Sequence, residues 1–177
     1  LGTLPLAGYG IGQRLEFLLI PISFGIGVAS VPMVGMAVGA GQVARARRVA
    51  WTAAGLSAFN LALIGIWVTV LPEQWAGLFS DHPGVLQHAR DYLTTAGPAF
   101  AFFGMGLTLY FASQGSGKVL GPVLAGTVRL LLVAGAGWWL LQHEASASAY
   151  FSLVSLAMVV YGLTTVLLVR MTPWQRS

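Results

Sequence analysis

The chain has 177 residues, 56% of them hydrophobic and only 8% charged. Soluble domains carry about 25% charge, so this chain has too little polar surface to cover itself in water, and its solvent is expected to be lipid. The net charge of +4 is small and scattered, which points away from nucleic acid, and without cysteine there are no disulfides or thiolate metal sites.

A spanning helix needs roughly 20 mostly apolar residues, because the hydrocarbon core is about 30 Å thick and each residue rises about 1.5 Å. Five stretches qualify. The chain opens at Leu1 with no basic segment before an apolar one, so no signal peptide is expected and N-terminal residues are read as missing. The first apolar run, 17–44, is uncharged; its helix can start as early as Pro5, which draws the span at 5–40 and places Arg14 and Glu16 inside it. Pro21 and Pro32 fall within it and are candidate kinks or hinges, since each removes a backbone donor. Gly35 and Gly39 form a G-x-x-x-G, and Gly25 and Gly27 give a further smooth face for helix packing or hinging.

A short basic connection at 41–48 leads to the second span, 49–72, with Asn60 at mid-depth. A longer connection, 73–91, holds acids and aromatics and precedes the third span, 92–115. That span contains Pro98, the pair Gly104 and Gly106, the aromatics Phe100, Phe103 and Phe111, and Tyr110 and Gln114, four apart on one face. A tight turn at 116–122 leads to the fourth span, 120–141, with Arg129 near its middle. The fifth, 147–170, follows a short polar link and ends in a basic tail. The expected architecture is all-α, a polytopic bundle of about five spanning helices in a lipid bilayer.

Alternation of five spans collects Arg45, Arg47, Arg48, Lys118, Arg170 and Arg176 on one side. The other side has Arg90 among Glu73, Asp81, Asp91 and Glu144. The positive-inside rule then puts the N-terminus outside and the C-terminus in the cytoplasm. Trp51, Trp75, Trp138, Trp139 and Trp174 lie near span ends, where aromatic belts form.

Charges inside spans cost roughly 2.5–3.5 kcal/mol on insertion scales, so each is a functional candidate. Glu16 is read as the only carboxylate able to sit inside a helix, where it could bind a proton, a sodium ion or a cationic compound, or lie at the interface. Arg129 needs a partner, either backbone carbonyls or an acid from another helix. Arg14 is expected to snorkel, and positions 14 and 16 do not share a helix face. Asn60, Tyr110 and Gln114 are candidates for lining a polar pathway. His82, His88 and His143 lack metal-ligand spacing, and no G-x-S-x-G, H-E-x-x-H or P-loop is present. No enzyme activity, cofactor or metal is expected.

Residues 6–48, LAGYGIGQRLEFLLIPISFGIGVASVPMVGMAVGAGQVARARR, resemble the eighth helix and following loop of multidrug and toxic compound extrusion (MATE) transporters. The most specific part is the ending built from Val34, Gly35, Gly39, Ala40, Gly41, Arg45, Ala46, Arg47 and Arg48. Residues 92–117 look like the family's tenth helix, and the pattern over 79–92 is similar to the loop before it. The resemblance implies helices eight to twelve of a twelve-helix, two-lobe transporter, with the seventh helix and the N-terminal lobe as missing partners. It further implies multi-pass insertion in the cell (inner) membrane and export of small organic, often cationic compounds. The exchange would be driven by a proton or sodium ion and proceed by alternating access. Several members use carboxylates in the seventh and tenth helices; the tenth-helix segment here has none between Tyr92 and Gly117. A lipid-linked oligosaccharide flippase of the wider superfamily and a non-transporting assembly subunit are the alternatives.

Overall fold

The computed structural model describes residues 2–174, and Arg176 of the basic tail lies outside them. The chain folds as an all-α bundle: α1 Thr3–Gly39, α2 Val43–Val70, α3 Pro72–Ala76, α4 Pro83–Ala96, a 3-10 turn Gly97–Ala99, α5 Phe100–Ser116, α6 Leu120–Gln142 and α7 Ala147–Met171. Five helical stretches are long and apolar enough to cross a membrane, with α4, the 3-10 turn and α5 counting as one. With 37 residues, α1 is about 55 Å long, well beyond the hydrocarbon thickness. Large apolar side chains such as Phe17, Met36, Phe59, Leu130 and Trp138 are exposed on the outside, as a lipid solvent requires.

Helix ends follow local chemistry. At the end of α1, Gly41 adopts φ +75°. Its N–H donates to Val38 O, and that of Gln42 to Ala37 O. Gly117 repeats the arrangement after α5, at φ +72°, with Lys118 N–H donating to Ser113 O. Both are Schellman closures, where glycine enters the left-handed region without a Cβ penalty. The end of α6 is built the same way, with Ala145 N–H donating to Leu140 O, yet Glu144 occupies the left-handed position, at φ 47°.

Two expected connections are partly helical. The basic segment 41–48 lies mostly in α2, which starts at Val43, so Arg45, Arg47 and Arg48 sit in its first turns. The segment 73–91 contains most of α3 and the start of α4. Pro83 at the first turn and the His82 Nδ1 acceptor for Gly84 N–H at 3.2 Å start α4 there. Asp91 therefore lies within a helix, and Glu16 is not the only helical carboxylate. Composition hid this because α4 is amphipathic rather than apolar.

In lipid, helix association relies on close packing and hydrogen bonds more than on hydrophobic burial. The buried face of α2 reads Ala46, Ala50, Ala54, Ser57, Leu61, Gly65, Val68, a seam dominated by small residues at spacings of four, four and three, repeated. It meets α1 and α5, the central helix, which also packs against α7. Gly35 packs against Gly115, Gly27 against Phe111, and Gly106 against Tyr161, whereas Gly25 and Gly39 face open space. The G-x-x-x-G is thus used at one glycine only. Pro21 and Pro32 are exposed and α1 runs through both without a break. Pro98 marks a real change, the 3-10 turn between α4 and α5. There the Ser155 hydroxyl on α7 donates to Thr95 O at 2.9 Å, a side-chain partner for a carbonyl next to the irregular turn. Helix α6 is the least embedded: it packs mainly on α7, and its buried residues are Gly121, Pro122 and Ala125, all near its start.

Candidate ion site around Glu16

Tyr9, Gln13 and Glu16 are spaced four and three apart, so they share one face of α1. The Gln13 amide donates from Nε2 to Glu16 Oε2 at 3.1 Å. The other carboxylate oxygen, Oε1, accepts from the Tyr92 hydroxyl of α4. Tyr92 is fully buried. Its ring stands edge-on to Tyr9, with centroids 5.0 Å apart, and to Phe151 of α7, at 5.2 Å. It can reach Glu16 only because Gly12 lies beneath it: a Cβ at Gly12 would fall inside the ring's van der Waals envelope.

Arg129 of α6 forms the other side. Its guanidinium lies over Phe103 of α5 at 5.5 Å and over Tyr161 of α7 at 5.7 Å. It makes no ion pair with Glu16 among the described residues. Two aromatic faces thus stand where an acid or backbone carbonyls were expected. Such contacts are worth about 0.5–2 kcal/mol each, most when desolvated, and they disperse a charge that would otherwise be costly at this depth. A largely apolar cavity of about 230 Å³ adjoins the cluster, between α1, α6 and α7, and shares Tyr9 and Phe151 with it.

The other predicted residues lie apart from Glu16's bonding partners. Arg14 is exposed and turns to the connection after α3, with its guanidinium over Phe79 at 4.9 Å. Asn60 donates from Nδ2 to Leu56 O at 2.8 Å, one turn back on its own helix. Tyr110 is half-buried and edge-on to Phe111, and Gln114 is exposed near the end of α5. Pro21, Pro32 and Pro98 all have exposed side chains. Asp91 is half-buried, and its backbone oxygen accepts from Thr94 and Thr95. Sequence reasoning missed Tyr9, Gln13, Tyr92 and Tyr161 as partners. The first two were available from helical spacing to Glu16, whereas Tyr92 and Tyr161 arrive through tertiary packing.

A half-buried carboxylate bonded by a tyrosine and a glutamine lies in a bundle whose described residues include five membrane-length helices, the architecture of a multi-pass membrane protein. Among the described residues no group of histidines and acids could hold a metal ion. The family model described as MatE matches residues 1–139, and the chain belongs to that family. A Schizosaccharomyces pombe (strain 972 / ATCC 24843) protein, named "Uncharacterized transporter C323.07c", is 30% identical over 127 residues, which cover 72% of this chain. The matched region is 22% of that relative's length.

Proposed function

We propose that this chain is one part of a secondary active exporter in which Glu16 binds the driving cation, a proton or a sodium ion. Entry of that cation drives export of small organic, often cationic molecules by alternating access between two lobes. This chain would supply helices eight to twelve in the cell (inner) membrane, with its C-terminus in the cytoplasm, as its basic residues suggest. The seventh helix and an N-terminal lobe would complete the cavity.

The observation that carries this reading is the setting of Glu16. A carboxylate whose two oxygens are already met by Tyr92 and Gln13 can exchange those donors for a bound proton or cation. Protonation turns one oxygen into a donor and releases a partner. Sodium would be met by oxygen ligands instead, from Glu16 itself, the Tyr9 hydroxyl and the Gln13 carbonyl turned inward. Either event removes the negative charge that faces Arg129. A cation that binds one conformation better shifts the population toward it by that differential affinity.

The test uses the full-length protein in proteoliposomes, with a fluorescent organic cation as substrate and an imposed proton or sodium gradient. Glu16→Gln is expected to abolish gradient-driven export, and Glu16→Asp to weaken it. Export by Glu16→Gln that keeps wild-type rate and pH dependence would remove Glu16 from coupling and overturn the proposal.

A further inference from the structure

A cavity lies away from Glu16, on the outer face of α1 and α2. It has a volume of about 550 Å³, and Gly25, Ala29, Met33, Ala53 and Leu56 form its apolar walls, with Arg48 at one end. The one hydroxyl of α1 on its lining, Ser30, donates to Gly27 O at 2.6 Å and so makes no demand on an occupant. A second cavity of about 350 Å³ continues from it, sharing Met33 and Val49, and reaches Ala40 and Arg45.

From Gly25 to Ala40 is 15 residues, about 22 Å at 1.5 Å per residue. Half of a bilayer with its headgroups is about 20–22 Å. The groove therefore has about the length of one leaflet, whereas a covering helix would run the full thickness. Arg45 and Arg48 lie three apart on one face of α2. Both are exposed, and neither has an ion-pair partner among the described residues. Arg45 donates only to Gln42 Oε1, at 3.3 Å. Long basic side chains near a helix end extend to the headgroup level.

We infer that the α1–α2 groove is a binding site for one anionic phospholipid, with its phosphate on Arg45 and Arg48 and an acyl chain along Ala29, Met33 and Ala53. Apart from Arg48, the Ser30 and Thr52 hydroxyls are the polar side chains of a lining that is otherwise apolar, which suits a hydrocarbon chain. The two guanidinium groups at its mouth favour net negative charge over a zwitterion. This inference rests on membrane embedding and is independent of the transport reading.

The test is native mass spectrometry of the delipidated full-length protein, titrated with phosphatidylglycerol or with phosphatidylethanolamine of the same acyl chains. Each basic side chain near an anionic surface contributes roughly fivefold, so the two arginines should give phosphatidylglycerol a preference of about 30-fold. Arg45→Gln with Arg48→Gln should bring the two lipids to parity, with the wild-type melting temperature kept. Ala29→Phe, at an exposed wall position, should remove retention of both lipids. Equal retention of the two by the wild type would overturn the assignment. So would displacement of the lipid by millimolar inorganic phosphate, which would make this an anion site without a chain. Unchanged retention in Ala29→Phe would place the lipid elsewhere. Failure of the wild type to retain any lipid, together with a lowered melting temperature in Ala29→Phe, would show that the rest of the protein fills the groove.

Discussion

Gly12 offers the sharpest test of how the proposed ion site is built. An added Cβ there would collide with the Tyr92 ring and would lie 3.3 Å even from its Cγ. Ordinary carbon contacts are 3.5–4.0 Å, so the ring or the helix must retreat by about 1 Å or more. The ring has little freedom, because Tyr9 and Phe151 hold its flanks at centroid distances of 5.0 and 5.2 Å. Gly12→Ala should therefore force α1 from α4, or Tyr92 from Glu16. Overpacking of this kind costs about 1–3 kcal/mol, and a lost hydrogen bond to a charged group about 1.5–3 kcal/mol. Gly10, one turn-side away, has nothing within 4 Å of an added Cβ, so Gly10→Ala is the matched control and should gain up to about 1 kcal/mol from helix propensity. The assay is detergent-solubilised thermal melting of the full-length protein together with gradient-driven transport. Gly12→Ala should melt below the wild type and lose coupling much as Tyr92→Phe does, while Gly10→Ala melts at or above the wild type. Trimming the ring in Gly12→Ala/Tyr92→Leu should recover part of the lost stability but none of the coupling, a non-additivity expected for groups in contact. If Gly12→Ala and Gly10→Ala behave alike, the close seat of Tyr92 on α1 is wrong.

Arg47 donates from Nη2 to Thr172 O at 2.7 Å and to Arg170 O at 3.3 Å, beside the Trp174 ring at 5.9 Å. A positive charge at the carbonyl end of α7 is favourable, so Arg47→Ala should cost about 1–3 kcal/mol and expose the segment after α7 to limited proteolysis, with Arg47→Lys intermediate because it loses the fork. Glu144 pays the left-handed penalty that Gly41 and Gly117 avoid. Glu144→Gly should raise thermal stability, and Gly117→Ala should lower it, by roughly 1 kcal/mol each in melting experiments. The Arg90–Glu73 pair, at 3.1 Å, is 60% and 66% exposed. Glu73→Gln should change stability by less than about 1 kcal/mol, less still at high salt.

Sequence reading succeeded where one physical variable governed the outcome. Hydropathy alone marks membrane-length helices, because lipid penalises every unpaired backbone group, and five such helices are present among the described residues. It was weaker where amphipathic and apolar segments join. The run from Pro83 to Ser116 is one membrane-length unit, yet its first half carries His88, Arg90 and Asp91, so hydropathy assigned those residues to a connection. The basic segment after Gly41 failed for a related reason: polar residues that begin a helix look like a loop when only charge is counted.

The three charges of the spans show the same limit at the level of the site. Spacing separates Arg14 from Glu16, and the structure turns Arg14 to Phe79 while Glu16 faces inward to Tyr92. Spacing could also have joined Tyr9 and Gln13 to Glu16, since all three follow the helical repeat on one face. It could not supply Tyr92, 76 residues away in sequence, whose seat depends on a glycine that looks like any other in a chain holding 23 of them. Arg129 invited a search for an acid because charge is most often balanced by charge. The fold instead sets it over Phe103 and Tyr161 and leaves Glu16 outside ion-pair reach. That choice has a chemical consequence. A direct buried ion pair with Arg129 would compete with any incoming cation at full strength. An arginine held by aromatic faces leaves the carboxylate oxygens to weaker, neutral donors, which under the proposed function a proton or sodium ion displaces.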